Sequence, residues 1–212
     1  MGDLPETGAP MPGLAELNLP GGIKVIDYET PQSAVIFGQR GLDRDHPDYF
    51  AAFILNHIIG GGGFESRLMT EVREKRGLTY GVYSYIANRD GADIWMGSVA
   101  SANGRVAEAI EVIQSEWARI SEEGVAEQEL EDAKTYITGA YPLRFDGNGP
   151  IANIAVGMQV NGMPTDYIAT RNDRMNAVTL EDVNRVAREY LDPDSLTFVV
   201  VGQPEGLSST QY

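Results

Sequence analysis

The strand and helix patterns of this chain come in blocks rather than in strict alternation. Runs rich in β-branched and aromatic residues predict strands, and apolar residues at helical spacing predict helices. The predicted strands are residues 23–29, 33–40, 79–88, 92–100 and 196–202, and the predicted helices are residues 48–59, 65–76, 104–122, 126–143, 150–161, 165–176 and 180–191. This order, β-β-α-α-β-β-α-α-α-α-α-β, is typical of an α+β fold with a mainly antiparallel sheet and helices packed on one face. A Rossmann fold would alternate strand and helix and is therefore disfavoured.

Local signals support several of these elements. Residues 88–91, Asn-Arg-Asp-Gly, separate the third and fourth predicted strands and contain a strong hairpin signal. Gly77 is a good residue to end the second predicted helix. Thr179 and Asp182 form a variant of the capping box at the start of the last predicted helix.

The chain divides into two parts by composition. Residues 1–20 are rich in proline and glycine and show little periodicity, so we interpret them as a linker. Residues 21–212 contain all of the predicted strands and helices. A chain of 212 residues is long enough to bury a complete hydrophobic core. We therefore expect residues 21–212 to form a single α+β domain.

The excess of acidic side chains argues against some classes of binding partner. The 16 basic and 31 acidic side chains give a formal net charge of −15, which repels a phosphate backbone and argues against sequence-independent binding of nucleic acid. No apolar run approaches the roughly 18 residues that a membrane span needs, and no signal peptide opens the chain. We expect a soluble protein, and the absence of cysteine fits the cytoplasm and the periplasm equally well.

Residues that could bind a metal are scarce. The chain has no cysteine and two histidines, His46 and His57. A zinc site takes three or four N, O or S ligands, and helical sites use histidines at short spacing, as in His-Glu-x-x-His. His46 lies in a predicted turn, whereas His57 lies eleven residues later in the apolar run of a predicted helix. We predict no metal site in this chain.

Residues 60–84 carry the strongest candidate for a functional site. The segment opens with Gly60, Gly61, Gly62 and Gly63. Their exposed backbone groups could cradle a phosphate, although the Gly-Lys-[Ser/Thr] of a P-loop is absent. A hinge or a plain connection is the alternative interpretation of this glycine run.

Arg73 in the second predicted helix has no acidic residue three or four positions away, unlike Arg67 and Lys75. Arg67 and Lys75 each lie four residues from Glu71 and are predicted to pair with it, whereas the helical neighbours of Arg73 carry no acidic side chain. Tyr80 follows seven residues later at the predicted start of a strand, so its phenol and the Arg73 guanidinium could point to one place. The alternative is that Arg73 and Tyr80 are simply solvated surface residues.

The same segment resembles the pitrilysin/insulinase-type zinc peptidases (peptidase M16), a family that includes the mitochondrial processing peptidase. Half-proteins of this family carry a glycine-rich loop, then Ser-Arg-Leu, then Arg-Glu-x-Arg-Gly-Leu-x-Tyr followed by a strand. The matching residues here are Gly60–Gly63, Ser66–Leu68, Arg73–Tyr80 and Val82–Ser84. The resemblance extends more loosely over residues 21–205.

The resemblance implies which half of such an enzyme this chain is. Enzymes of the family consist of two related halves that enclose a cavity, and the first half carries the inverted zinc motif His-x-x-Glu-His with a downstream Glu ligand. Predicted helix 48–59 reads Asp-Tyr-Phe-Ala-Ala-Phe-Ile-Leu-Asn-His-Ile-Ile and lacks that motif. The chain is therefore similar to the zinc-free C-terminal half, and zinc is expected in the other half.

The resemblance also implies a role for each candidate residue. Arg73 would bind the substrate backbone or a carboxylate, Tyr80 would donate to the oxyanion of the reacting carbonyl, and Gly60–Gly63 would contact the peptide. The zinc-bearing half that they serve would lie in the same chain or in a separate subunit, and this chain alone is not expected to be an active peptidase. A catalytically inactive structural or assembly half and a free-standing peptide-binding module are the alternatives.

Overall fold

A computed structural model describes residues 7–10 and 13–210, and within them a five-stranded sheet forms the centre of the fold. The strands are β1 (Gly22–Asp27), β2 (Gln32–Arg40), β3 (Val82–Ala87), β4 (Ile94–Ala102) and β5 (Thr197–Gly202). They are arranged in the order β1-β5-β2-β4-β3. β1 and β5 are parallel, and the other neighbouring pairs are antiparallel. The prediction of a mainly antiparallel sheet is confirmed.

The helices cover one face of this sheet. In the described residues they are α1 (Tyr49–Asn56), α2 (Val106–Glu123), α3 (Glu127–Ala140), α4 (Asn148–Val160), α5 (Tyr167–Ala177) and α6 (Leu180–Tyr190). Burial alternates along β2, where Val35 and Phe37 are buried and Ile36 is exposed. Such alternation places every second side chain against the helices and leaves the opposite face of the sheet open.

Large aromatic side chains form the centre of the core. Phe37 stacks on Phe198 at 5.6 Å between ring centroids and meets Trp117 edge-on at 6.0 Å. The indole N–H of Trp117 donates to Gln39 Oε1 at 2.7 Å, so this buried polar group has a partner inside the core.

Two predicted turn signals are confirmed. The hairpin between β3 and β4 turns through residues 88–93, with Gly91 at a φ of +79°. The Thr179 hydroxyl accepts a hydrogen bond from the Asp182 N–H at 3.1 Å, and the Asp182 carboxylate accepts one from the Thr179 N–H at 2.9 Å. This reciprocal pair is the capping box that begins α6.

Several predicted boundaries differ from the structure around the glycine run. Predicted helix 48–59 is α-helical to Asn56 and continues as a π-helical turn, His57–Gly61. Predicted helix 65–76 is mainly a π-helix, Met69–Glu74. The third strand, predicted from residue 79, begins at Val82. A 3.6-residue periodicity does not separate α from π winding, because a single five-residue turn changes the pattern little.

The described part of residues 1–20 lacks helix and strand. It contacts the hairpin, since the Ala15 N–H donates to the carbonyl of Asp90 at 3.2 Å. Residues 1–6, 11 and 12 of the predicted linker lie outside the described residues, and its role as a linker stays a prediction. In the described parts of the chain no helix combines the length and apolarity needed to cross a membrane.

Candidate functional site

The glycine run turns the chain from α1 toward the sheet. Gly60 is buried, and a Cβ added there would lie 2.5 Å from Ser84 Oγ and 2.7 Å from Ser84 N of β3. A Cβ on Gly62 would lie 2.9 Å from the carbonyl oxygen of His57. Gly63 has a φ of +63°, which favours glycine. Glycine is thus required here for close packing and for the turn, and contact of Gly60–Gly63 with a peptide stays a prediction.

The π-helix that follows is tied down through its charged side chains. Arg67, at its start, donates two hydrogen bonds of 2.7 Å to the carboxylate of Glu129 on α3. Lys75 and Arg76 lie at its end and pair with Glu71 at 2.6 and 2.7 Å. The predicted Lys75–Glu71 pair is confirmed, whereas the predicted Arg67–Glu71 pair is wrong. Glu129 binds the Arg67 guanidinium through both carboxylate oxygens, and such bidentate pairs are strong. Glu71 is already paired with Lys75 and Arg76.

These ion pairs change the acidity of both carboxylates. Hydrogen bonds from Lys75 and Arg76 lower the pKa of Glu71. Burial raises the pKa of Glu129, but hydrogen bonds from Arg67 and from the Ala126 N–H outweigh it and leave that pKa below its usual value. Both carboxylates are therefore charged at neutral pH and hold the π-helix in place.

Arg73 is left without such a partner. Its guanidinium carbon lies 4.7 Å from the centre of the Phe64 ring, and in the described residues it forms neither an ion pair nor a hydrogen bond. Phe64 is 64% exposed and lies directly after the glycine run. This stacked arrangement leaves the edge of the guanidinium available to an anion or a carbonyl. The contribution of Phe64 was not predicted, because a lone aromatic residue in a glycine-rich loop carries no periodic signal.

Tyr80 lies in a hydrogen-bonded bend just before β3. The Thr79 hydroxyl donates to the carbonyl of Ala100 at 2.7 Å and accepts from the Gly81 N–H at 3.1 Å. The backbone on both sides of Tyr80 is therefore fixed, yet its side chain is 90% exposed. In the described chain its hydroxyl has no hydrogen-bond partner, and no hydrogen bond or cation–π contact joins Tyr80 to Arg73. The predicted convergence of the two side chains stays a prediction.

The open face of the sheet continues from this turn. Tyr83 and Tyr85 project from β3, with their ring centroids 6.3 Å apart, and Ile36 of β2 is 54% exposed. These residues and Met96 line a shallow depression of about 440 Å³. The apolar character of this face was not predicted, although the alternation of Val82, Tyr83, Ser84 and Tyr85 would have indicated it.

Neither histidine lies in a metal-binding cluster. His57 stacks on Tyr136 with ring centroids 5.1 Å apart, and burial lowers its pKa. Asn56, directly before it, accepts hydrogen bonds from the Trp95 indole and the Ser84 hydroxyl, both at 2.8 Å. Across the described ranges no group of three or more His, Cys, Asp or Glu side chains could hold a metal ion. Zinc therefore does not fit the described residues of this chain.

The fold and the site define the class of this protein: an α+β domain with a mainly antiparallel sheet, in whose described residues no cluster could hold a metal ion. Residues 1–137 match the family described as the peptidase M16 inactive domain. The chain therefore belongs to that family, and its resemblance to peptidase M16 is confirmed.

Curated relatives and solved structures agree with this assignment. An uncharacterized zinc protease of Streptomyces coelicolor is 31% identical over 86% of this chain and 40% of its own length. A protein of Helicobacter pylori named as a non-peptidase homolog is 26% identical over 84% of this chain and 41% of its own length. The crystal structure of a peptidase M16 inactive domain from Pseudomonas fluorescens is 30% identical, covers 95% of this chain and 48% of that one, and superposes with a TM-score of 0.79. The chain thus spans about two fifths of the length of these curated relatives.

Proposed function

We propose that this chain is the zinc-free C-terminal half of a zinc-dependent endopeptidase and supplies Arg73 and Tyr80 to the active site of a zinc-bearing half. One observation carries the proposal. Arg67, Lys75 and Arg76 each have a carboxylate partner, whereas the polar ends of Arg73 and Tyr80 have none in the described chain. The fold therefore leaves unpaired the two side chains of this segment that the proposal assigns to the active site.

Each side chain has a chemical task in this proposal. The Tyr80 hydroxyl donates a hydrogen bond to the oxyanion that forms when water attacks the scissile carbonyl. The Arg73 guanidinium, held over Phe64, binds a carbonyl or carboxylate of the substrate through its paired N–H groups. Zinc in the other half would supply Lewis-acid activation of the attacking water.

In this proposal the uncovered face of the sheet forms one wall of the peptide-binding cavity between the two halves. Tyr83, Tyr85 and Ile36 are exposed apolar side chains on a face that no described helix covers, and such patches mark binding surfaces. Tyr80 lies two residues before β3 begins, and its neighbour Gly81 lines the depression on this face. In this proposal a peptide lies along the face with its scissile carbonyl at the Tyr80 hydroxyl.

The partner is proposed to be a zinc-bearing N-terminal half, in the same chain or as a separate subunit. The chain covers 40% of its Streptomyces relative, which leaves room there for a second half of similar size. The proline- and glycine-rich residues 1–20 would join the two halves if they share one chain, and residues 21–212 would form a single domain.

Replacing Tyr80 by Phe in the complete two-half enzyme tests the proposal. Loss of one oxyanion donor lowers kcat by about 10²-fold in other enzymes, and we expect a loss of that order here. Tyr28→Phe is the matched control, because Tyr28 is 64% exposed and lies in the turn after β1. Unchanged kcat in Tyr80→Phe would remove Tyr80 from the mechanism.

A catalytically inactive structural half is the second candidate. The name of the Helicobacter pylori relative, a non-peptidase homolog, favours it. The sequence of the adjoining half discriminates the two functions: a half that contains His-x-x-Glu-His supports the peptidase, and a half without it supports the structural role.

A further inference from the structure

The helical layer contains a cavity that the proposed peptidase function does not use. It has a volume of about 420 Å³ and lies between α1, α4, α5 and the end of α3. Ile86, near the end of β3, also lines it, whereas Tyr80 lies before the start of that strand. The cavity and the candidate peptidase site are therefore at opposite ends of β3.

A buried arginine forms one wall of the cavity. Arg171 of α5 is only 6% exposed. Its guanidinium carbon lies 4.2 Å from the centre of the Tyr141 ring, and Nη1 donates to Asn172 Oδ1 at 3.0 Å. No described carboxylate forms an ion pair with it. A buried cation without an anionic partner is unfavourable. An anion bound beside Arg171 would compensate this charge.

Two further arginines line the same cavity. Arg44 lies over the ring of Tyr49 at 5.3 Å, and its Nε is buried with no hydrogen-bond partner in the described chain. Arg144 is exposed at the rim. Asp and Glu are absent from the described residues that line the cavity, although the chain as a whole carries a net charge of −15. Three cations without a carboxylate concentrate positive potential at this one place.

The remaining walls are apolar or can donate hydrogen bonds. Phe53, Ile154, Met158, Met163 and Met175 supply apolar surface. Burial raises the pKa of Tyr49 and Tyr141, so both phenols stay protonated at neutral pH and can donate. Cavities of 300–1,000 Å³ with apolar walls and a few convergent polar groups are typical of small-molecule sites.

We propose that this cavity binds an organic carboxylate with an apolar body. The carboxylate lies against Arg171 and Arg44, which supply the bidentate donors that suit its two oxygens. The apolar body lies against Phe53 and the methionines. The site is independent of the proposed peptidase function and of any zinc-bearing half.

Calorimetric titration of this chain with sodium octanoate at neutral pH tests the proposal, with octanamide as the neutral isostere. We expect saturable binding of one octanoate and at least about tenfold weaker binding of octanamide, since hydrogen bonds from charged donors are the strong ones. Absence of saturable octanoate binding, or equal affinities for octanoate and octanamide, would overturn the proposal.

Three variants locate the site. Arg171→Gln is expected to weaken octanoate binding about tenfold or more. Arg144→Gln changes an exposed side chain, so it keeps the test decisive if Arg171→Gln fails to fold; a weakening of several-fold is expected. Arg188→Gln is the matched control, because it removes the same charge from an exposed position on α6 outside the cavity. Equal losses in all three variants would mean that only the overall charge matters and would contradict the site.

Titration with N-acetyl-Leu-Phe and with its C-terminal amide shows whether the bound carboxylate can belong to a peptide C-terminus or only to a small organic acid. Binding of the acid but not the amide extends the ligand class to the C-terminus of a hydrophobic peptide. Binding of octanoate alone restricts the class to small organic acids. Preference for the peptide amide over the acid would contradict carboxylate recognition.

Discussion

Among the charged and phenolic side chains of residues 65–84, Arg73 and Tyr80 differ in what holds them. Arg67, Lys75 and Arg76 are held by carboxylates, while Arg73 is held by a ring and Tyr80 by its backbone. The polar ends of both side chains are unpaired in the described chain, so each can bind a ligand without first breaking a hydrogen bond or an ion pair.

Arg73→Ala in the complete enzyme is expected to raise KM for peptide substrates, and to lower kcat if the guanidinium also contacts the reacting carbonyl. The melting temperature of this chain should change little, because Arg73 has no ion pair in the described structure to lose. Steady-state kinetics and thermal melts measure the two effects, with Arg188→Ala as the matched surface control. Wild-type kinetics in Arg73→Ala would favour a simple solvated arginine.

Gly60→Ala is expected to destabilise the chain by about 1–3 kcal/mol, the usual cost of an extra methyl group in a tightly packed site. The new Cβ would lie 2.5 Å from Ser84 Oγ. Gly139→Ala on α3 is the matched control, since a Cβ there would meet no atom within 4 Å and alanine favours a helix. Chemical denaturation measures both; equal stability of Gly60→Ala and wild type would refute the packing role of Gly60.

At the residue scale, the sequence predicted an ion pair between neighbours on one helix but not a pair between two helices. The Lys75–Glu71 pair lies at i,i+4 and was predicted, but Arg67 pairs with Glu129, 62 residues away. Spacing along one helix cannot reveal a partner on another helix. The stacking of Arg73 on Phe64 was missed for a related reason, since it depends on how the glycine run folds back.

At the scale of elements, the π-helix Met69–Glu74 is anchored to the helical layer through the start of α3. Arg67 donates both to Glu129 and to the carbonyl of Gly124 at 3.2 Å. The same Glu129 carboxylate accepts from the Ala126 N–H at 2.8 Å. One carboxylate therefore caps α3 and fixes the segment that carries Arg73.

Glu129→Gln is expected to lower the stability of the chain by about 1.5–3 kcal/mol at neutral pH, the scale of hydrogen bonds to charged groups. Because the folded pKa of Glu129 is lowered from its ordinary value of 4.5, its contribution is complete above that value and is lost as pH falls through the folded pKa. Wild type should therefore lose more stability than Glu129→Gln between about pH 5 and pH 3.

Thermal melts over that pH range measure the difference. Glu131→Gln is the control on the same helix, because Glu131 pairs with Lys134 at an exposed position and such pairs contribute little. Parallel pH profiles for wild type and Glu129→Gln would show that the Arg67–Glu129 pair does not anchor the π-helix.

Some helices had a clear periodic pattern in the sequence and others a weak one, and the difference follows from how much of each helix is buried. α2 buries a continuous stripe that includes Ile110, Ile113 and Trp117, and its periodicity was clear in the sequence. α4 has no buried residue, and Val156 and Val160 on it are 58% and 80% exposed. A helix that packs so little carries a weak periodic signal, and the cavity beneath it could not be foreseen from the sequence.

At the scale of the whole molecule, the sheet has one face covered by helices and one open face. The helices bury the inner side chains of β2, including Val35 and Phe37, while Ile36, Tyr83 and Tyr85 remain exposed on the outer face. The class of fold followed from the block order of strands and helices. The parallel β1–β5 pair brings the first and last strands of the sheet together, and the block order alone did not specify this pairing.

The central claim is that this chain contributes to peptide hydrolysis without binding zinc itself. Measuring zinc content and peptidase activity of this chain alone, and of this chain mixed with a zinc-bearing half, tests it most directly. We predict no stoichiometric zinc and no activity for the chain alone, and activity on mixing that falls by about 10²-fold in Tyr80→Phe. Stoichiometric zinc or proteolysis by this chain alone, or full activity of the Tyr80→Phe mixture, would contradict the account.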